Sequence, residues 1–230
     1  MGRVAVINEI LGKIGGRTYL EIGIRYGRTF NRIIAPRKIG VDPVNAAPRV
    51  REHLLGHMGA TYHCKTSDEF FVHHGHIFSN QKIDVALIDG LHTYGQSLKD
   101  VINCLAHLAD NGVIVMHDCS PPAASMAEPL QESRNADGRP NLYKGGPWNG
   151  DVWKTIVHLR SCFDVLNVFV LDCDFGLGVV TKGRPDNMLD LSVEEIQEMT
   201  FNELDKEREL LLNLKNPEYL SEFLTARALA

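Results

Sequence analysis

Residues 18–30 read TYLEIGIRYGRTF, an apolar run that leads through a glycine-containing turn toward a helical segment. Gly23 and Gly27 stand in this turn, and Glu21 precedes them. Glycines between a strand and a helix allow a ligand to approach the backbone closely. A dinucleotide would require the spacing G-x-G-x-x-G, which is absent, and the carboxylate of Glu21 would repel a diphosphate. The stretch therefore predicts an α/β fold whose turn binds a small cationic ligand without a phosphate.

A second acid, Asp42, ends the next apolar run in the motif GVDP. In open α/β sheets, an acid at this position accepts hydrogen bonds from both ribose hydroxyls. On its own, the pattern of Glu21, Gly23 and Gly27 would be more typical of a turn that packs against a helix. With Asp42 it describes a site for a cationic nucleoside, and S-adenosylmethionine fits that description best.

Short apolar runs alternate with helical stretches through most of the chain, as is typical of parallel strands joined by helices that cover both faces of a sheet. Toward the end, FDVLNVFVLDCDFGLGVVTKG holds two strand-like runs that are too close together for a helix. They predict an antiparallel hairpin at the sheet edge. We therefore predict a Rossmann-like, doubly wound α/β fold: a mostly parallel seven-stranded sheet with an antiparallel edge hairpin, helices on both faces and a C-terminal helical extension.

Composition suggests a ligand-binding domain in residues 1–185 and a charged helical extension in residues 186–230. The extension would pack on the domain or pair with a second copy of the chain, giving a homo-oligomer. Within the domain, residues 119–150 are rich in proline, glycine and polar residues and too long for an ordinary connection, so we predict a lid that shapes an acceptor site. Its Tyr143 and Trp148 suit a sugar or another polyhydroxylated acceptor, because ring faces pack against C–H surfaces.

The overall charge and the cysteines restrict the class of partner and the compartment. A formal net charge of −5 over 230 residues gives no reason to expect nucleic acid or an anionic membrane as a partner. No apolar run approaches the roughly 20 residues that cross a bilayer. The five cysteines have no paired CxxC spacing, which is typical of a reducing compartment. We therefore predict a cytoplasmic protein that acts on a small molecule.

The motifs along residues 18–183 resemble those of the class I S-adenosylmethionine-dependent methyltransferases, and more narrowly the metal-dependent sugar O-methyltransferases of antibiotic biosynthesis. These motifs are LEIGIRYGRTF, GVDP, TSDEFF, DVALIDGLHTYGQSLKDV, GVIVMHDCSP, NGDVWKTI and DFGLGVVTKG. The resemblance implies that Glu21 and Gly23 border the methionine end of the cofactor, with Gly27 in the same turn. It also implies that Asp42 holds the ribose.

Two further positions bear on the cofactor. By the same resemblance, Ser67 and Asp68 in TSDEFF would lie near the adenine, although the pair could equally be the N-cap of the helix that follows. Arg25 stands where many of these enzymes carry a glycine. This departure concerns the geometry of the turn rather than the identity of the cofactor.

Asp89 ends one apolar run, in LIDGLHTY, and Asp118 ends the next, in VIVMHDCS. If the two strands are neighbours, their carboxylates repel each other unless a proton or a cation lies between them, and oxygen ligands suit Mg²⁺. The resemblance likewise implies a divalent metal, held by Asp89 and Asp118, that binds an acceptor hydroxyl beside the methyl donor. His92 has an ordinary pKa near neutrality and would accept the hydroxyl proton. Asp89 and His92 are therefore the predicted catalytic residues.

These observations predict an S-adenosylmethionine-dependent O-methyltransferase that acts on a hydroxyl of a sugar or natural product, assisted by Mg²⁺ or another divalent metal. A metal-independent N- or S-methyltransferase and a non-catalytic S-adenosylmethionine-binding protein are the alternatives. A nicotinamide-dependent oxidoreductase is opposed by the missing glycine spacing. Asp118 could instead cap a helix and Asp89 could be a turn residue, and we interpret the neighbouring His117 as a core histidine.

Overall fold

The computed structural model describes residues 1–129, 148–185 and 187–228. Within them, eight strands form one sheet: β1 Thr18–Ile22, β2 Arg37–Asp42, β3 Ala60–Cys64, β4 Ile83–Ile88, β5 Leu108–Met116, β6 Leu166–Leu171, β7 Leu177–Lys182 and β8 Leu214–Lys215. The described α-helices are α1 Arg3–Ile14, α2 Pro48–Gly56, α3 Ser67–His74, α4 Tyr94–His107, α5 Trp153–Cys162, α6 Val193–Glu198, α7 Phe201–Leu212 and α8 Tyr219–Ala228. Short 3-10 helices span Phe30–Arg32, Gly75–Phe78 and Ala124–Met126.

The strand order is β3-β2-β1-β4-β5-β7-β6-β8, with only β7 antiparallel to its neighbours. The predicted mostly parallel sheet with an antiparallel hairpin is therefore confirmed. The predicted count of seven strands differs by one, because the extension adds β8 beside β6. A strand of two residues is too short to show the alternation of apolar and polar residues from which strands are predicted.

The dipeptide Asn111-Gly112, of a kind that often follows the end of a helix, lies inside β5. Helix α4 ends at His107, and Leu108 already pairs with Ile83 in β4. The register shifts before Val85 pairs with Val113, so Asn111 and Gly112 lie in an irregular part of β5 rather than at a helix end. The pairing of β5 with β4 thus outweighs the tendency of an Asn-Gly dipeptide to end a helix.

Both faces of the sheet are buried, and neighbouring residues of β1 show why the strands appear as continuous apolar runs. Tyr19 packs into one hydrophobic cluster with α1 and α8, whereas Leu20 packs into the other with α3 to α7. The extension contributes to both clusters, because α6 and α7 cover one face and α8 covers the other. Among the described residues, no helix is both long and apolar enough to cross a membrane.

The order of the strands positions the ligand site. The chain proceeds from β1 to β2 on one side of β1, and it later returns as β4 on the other side. This reversal makes a crevice beyond the carboxyl ends of β1 and β4, where open α/β sheets bind their ligands. The sequence-predicted acids Asp42, Asp89 and Asp118 end or follow β2, β4 and β5 at this edge.

Candidate functional site

A cavity of about 1030 Å³ opens at the carboxyl ends of β1, β2, β4 and β5. This volume is at the upper end of the range for small-molecule sites. Its walls include all but one of the residues predicted to bind cofactor or metal or to act in catalysis: Glu21, Gly23, Asp42, Ser67, Asp68, Asp89, His92 and Asp118. Trp148 from the predicted lid also lines the cavity, whereas Tyr143 lies outside the described residues.

The exception is Gly27, which turns away from the cavity. A Cβ atom on Gly27 would lie 2.5 Å from Val50 Cγ2 in α2, and its φ of +70° also favours glycine. Gly23 has a φ of +88°, and a Cβ there would lie 2.0 Å from the carbonyl oxygen of Asp89. Both glycines therefore serve close packing of the turn, and Gly23 in addition borders the cavity.

Asp42 shapes the turn through its carboxylate. Its Oδ2 accepts hydrogen bonds from the backbone N–H groups of Ile24 and Arg25, each at 2.9 Å, and its Oδ1 accepts one from Val44 at 2.8 Å. A carboxylate offers about four acceptor positions, so Asp42 retains capacity for a ligand hydroxyl.

Glu21 lies at the cavity wall but is almost entirely buried. Burial raises the pKa of Glu21 to about 8, although a hydrogen bond donated by the Tyr19 hydroxyl at 2.5 Å opposes the rise. Without a cation beside it, the carboxyl therefore holds its proton near neutral pH. A cationic ligand in the cavity would favour the ionised form.

Ser67 and Asp68 begin α3, but the helix cap is their neighbour Thr66, whose hydroxyl accepts a hydrogen bond from the Glu69 N–H in a capping box. Ser67 Oγ instead donates to Asp100 at 2.6 Å, and Asp68 pairs with a lysine of α4. The alternative interpretation of the pair as the N-cap is therefore wrong.

Asp89, His92 and Asp118 converge in one cluster. His92 Nε2 lies 3.3 Å from Asp89 Oδ1 and 3.2 Å from Asp118 Oδ2. One ligand atom from each of the three side chains lies within 4.8 Å of the others, a spacing that could hold a metal ion. His92 Nδ1 lies 3.0 Å from the Trp148 carbonyl oxygen, which can only accept, so Nδ1 carries a proton.

His117 belongs to this cluster rather than to the apolar core, which corrects its interpretation as a core histidine. Its Nδ1 lies 2.8 Å from Asp118 Oδ2, and its Nε2 lies 3.4 Å from Asp174 Oδ1. Burial alone would lower the pKa of His117, but the nearby carboxylates of Asp118, Asp174 and Asp89 outweigh it and raise the pKa to about 11. The ring therefore lies among three carboxylates that favour its charged form.

Three other residues of the cluster are not among the predicted site residues, although Asn149 and Asp174 each begin one of the motifs named above. Arg3 Nη1 lies 2.6 Å from Asp89 Oδ2, and Arg3 Nε lies 3.1 Å from Asp174 Oδ2 in the β6–β7 hairpin. Asn149 donates to Asp118 Oδ1 at 2.6 Å. These contacts fix the orientation of both carboxylates that were predicted to bind a metal.

The backbone is strained at the same place. The described non-glycine residues with positive φ are six, and five of them line the cavity. The sixth, Asn213, ends α7. Such conformations disfavour residues with a side chain and tend to occur at functional sites. The five are Arg25, His92, Asp118, Asp174 and Phe175.

Comparison with known proteins gives one family match and several matches in fold. Residues 20–119 match the sequence profile of a family described as a methyltransferase domain, while no curated protein matches the chain. Among solved structures, the chain is similar to a candidate O-methyltransferase from Klebsiella pneumoniae, with 12% identity, coverage of 79% of this chain and 80% of that chain, and a TM-score of 0.54.

Two further solved structures resemble the chain to the same degree. The SAH-bound methyltransferase PaMTH1 from Podospora anserina shares 14% identity over 78% of this chain and 77% of that chain, with a TM-score of 0.54. Cofactor-bound Rv0187 from MTB shares 13% identity over 79% of this chain and 80% of that chain, with a TM-score of 0.55. At these levels of identity the likeness shows the fold.

Proposed function

We propose that the protein transfers the methyl group of S-adenosylmethionine to a hydroxyl of a small molecule, with help from a divalent metal. The match of residues 20–119 to a methyltransferase family and the similarity in fold to solved methyltransferases support this proposal. The observation that carries this proposal is the convergence of Asp89, His92 and Asp118 in the cavity that the glycine turn also borders. A cofactor at the turn would thus lie beside a cluster able to bind and deprotonate an acceptor.

The cofactor would lie along the carboxyl ends of β1 and β2. Glu21 and Gly23 would border its methionine end, where a sulfonium and an ammonium would draw the proton from Glu21. Asp42 would accept a hydrogen bond from the ribose, for which it has capacity beyond its three backbone donors. Ser67 and Asp68, which line the same cavity, would lie near the adenine.

The cluster fits a divalent cation. Two carboxylates supply the oxygen ligands that suit Mg²⁺. Asp89 and Asp118 would hold the ion, which when bound would fix an acceptor hydroxyl and make it more acidic. Arg3 and Asn149 would keep the two carboxylates in place.

His92 would take the proton from the acceptor hydroxyl. Its Nδ1–H is directed to the Trp148 carbonyl, so Nε2, which lies beside the two carboxylates, is the nitrogen that gains or loses a proton. Burial would lower the pKa of His92, but its hydrogen bond to Asp89 and the charges of Asp118 and Asp89 raise it. This rise in the pKa of His92 depends on the negative charge of the two carboxylates. Once a cation compensates that charge, Nε2 can accept a proton.

The remaining rate enhancement would come from alignment. Methyl transfer is an in-line displacement at carbon, so the acceptor oxygen, the methyl group and the sulfur must lie in a line. Positioning of this kind can lower a barrier by roughly 7–11 kcal/mol. One face of Trp148 stacks on His92, with ring centroids 5.4 Å apart, and its other face would help to hold a sugar acceptor.

Calorimetry on the full chain tests the metal site without a known acceptor. With S-adenosylhomocysteine at saturation, the wild type should bind Mn²⁺ or Mg²⁺, whereas Asp118→Asn should bind the ion at least tenfold more weakly and still bind S-adenosylhomocysteine. Asparagine tolerates the positive φ of Asp118, so the backbone is preserved.

Asp84→Asn is the matched control, because the Asp84 carboxylate also accepts hydrogen bonds but at the opposite edge of the sheet. It should bind metal like the wild type. Turnover is then measured as S-adenosylhomocysteine release over a panel of sugars and phenols, with and without chelator. Turnover that persists in chelator would favour a metal-independent methyltransferase, and cofactor binding without turnover on any acceptor would favour a binding protein.

A further inference from the structure

Four arginines line the cavity although the chain as a whole is acidic. Arg3 enters from the start of α1, and Arg25, Arg28 and Arg32 come from the turn after β1 and the short 3-10 helix that follows. The formal net charge of the chain is −5, so four arginines at one cavity contrast with the acidic character of the whole chain. The wall between α1 and the glycine turn is therefore cationic.

The four side chains differ in whether other side chains already interact with their positive charge. Arg3 is bound to Asp89 and Asp174, and the guanidinium of Arg25 lies 5.2 Å from the ring centroid of Tyr26. The side chains of Arg28 and Arg32 are exposed and make no hydrogen bond or ion pair with any residue that the structure describes. Arg28 and Arg32 thus line the cavity, and no described residue occupies their guanidinium donors.

Among the described residues, no acid of the cavity forms an ion pair with either of these two arginines. Asp68 pairs with Lys99, and Asp174 pairs with Arg3.

The same wall offers aromatic surface for the body of a ligand. Tyr26 is 57% exposed and Phe175 is 45% exposed, and both line the cavity. Exposed aromatic rings beside unmatched guanidinium groups are suited to a molecule with a ring at one end and an anion at the other.

We propose that the acceptor carries an anionic group, a phosphate or a carboxylate, which Arg28 and Arg32 bind. This inference rests on the proposed function, because it places an acceptor in the same cavity as the cofactor. The planar guanidinium matches both anions through paired N–H donors, and such charge-assisted bonds are stronger than neutral ones.

Calorimetric titrations of the full chain saturated with S-adenosylhomocysteine test the inference with three probes: glucose 1-phosphate, glucuronate and glucose. At least one anionic probe should bind the wild type, and glucose should bind at least tenfold more weakly. The double variant Arg28→Gln/Arg32→Gln should lose at least tenfold in affinity for that anion. Whichever of the two anions binds more tightly identifies the group that the arginines recognise.

Arg17→Gln provides the matched control, because Arg17 is exposed just before β1, at the opposite edge of the sheet, and its side chain also makes no ion pair with any described residue. It should bind the anionic probe like the wild type. Equal affinity of the wild type and the double variant, or no binding of either anion, would overturn the inference.

The methionine carboxylate of the cofactor is the competing source of negative charge. If the double variant binds S-adenosylhomocysteine more weakly but still binds 5′-methylthioadenosine normally, the two arginines hold the cofactor and the inference falls. Unchanged affinity for both nucleosides supports it. Failure of the wild type to bind S-adenosylhomocysteine at all would instead refute the proposed function.

Discussion

Gly23 has no room for a side chain, because the position of its missing Cβ is occupied by the backbone of Asp89. Gly23→Ala should therefore lower the free energy of unfolding by about 3 kcal/mol or more, through the steric overlap and the positive φ together. Gly12→Ala is the matched control, since a Cβ there meets nothing within 4 Å in the last turn of α1. It should stabilise the protein by about 0.5–1 kcal/mol. Urea denaturation measures both, and equal effects would contradict the packing described for Gly23.

Asp100 makes stability depend on pH in a direction unusual for an acid. Burial raises the pKa of Asp100 to about 6, against the hydrogen bonds from Ser67 and Gln96. Because the folded state holds the proton more tightly than the unfolded chain, this contribution to stability is present below pH 4 and is lost as the pH rises through 6. Asp100→Asn cannot ionise, and its side-chain oxygen can still accept from Ser67 and Gln96.

The variant Asp100→Asn should therefore be more stable than the wild type at pH 7, by up to about 3 kcal/mol, and similar to it at pH 4. Urea denaturation at the two pH values gives the difference directly. A variant that is less stable at pH 7 would show that the ionised carboxylate is needed at this position.

Among the single elements, helix α7 attaches the C-terminal extension to the rest of the domain through its buried face. Leu212 is 0% exposed and Leu210 is 56% exposed on the same helix. Leu212→Ala should lower the free energy of unfolding by about 2–5 kcal/mol, because it leaves a cavity in the core. Leu210→Ala should change it by less than about 0.5 kcal/mol. Similar values for the two variants would mean that α7 is not docked as described.

The strands and the acids at their ends could be predicted from sequence, because a buried parallel strand is a continuous apolar run and its end is marked by the first polar residue. Asp42, Asp89 and Asp118 were found in this way. Arg3 and Asp174 could not be found, since they are 171 positions apart and meet only when the β6–β7 hairpin lies beside α1. The interpretation of His117 as a core histidine is wrong because the apolar run before it suggests a core position, whereas the sequence does not show which side chains its ring contacts.

For the molecule as a whole, one sheet carries two hydrophobic clusters, so damage on either face should weaken both. Leu224 in α8 belongs to one cluster, and Trp153 in α5 belongs to the other. In a Trp148→Phe background, Leu224→Ala should lower the denaturation midpoint reported by Trp153 fluorescence as much as the midpoint reported by circular dichroism. Two separate transitions would show that the faces unfold independently.

The entry of Arg3 into the acidic cluster has a practical consequence for the laboratory. Gly2 borders the cavity, and the backbone N–H of Arg3 donates a hydrogen bond to Asp174. The polypeptide that precedes Gly2 therefore lies beside the entrance of the cavity. A purification tag fused ahead of Met1 would emerge beside the entrance and compete with any compound under assay. Ligand screening should therefore begin with material whose handle is attached at the other terminus.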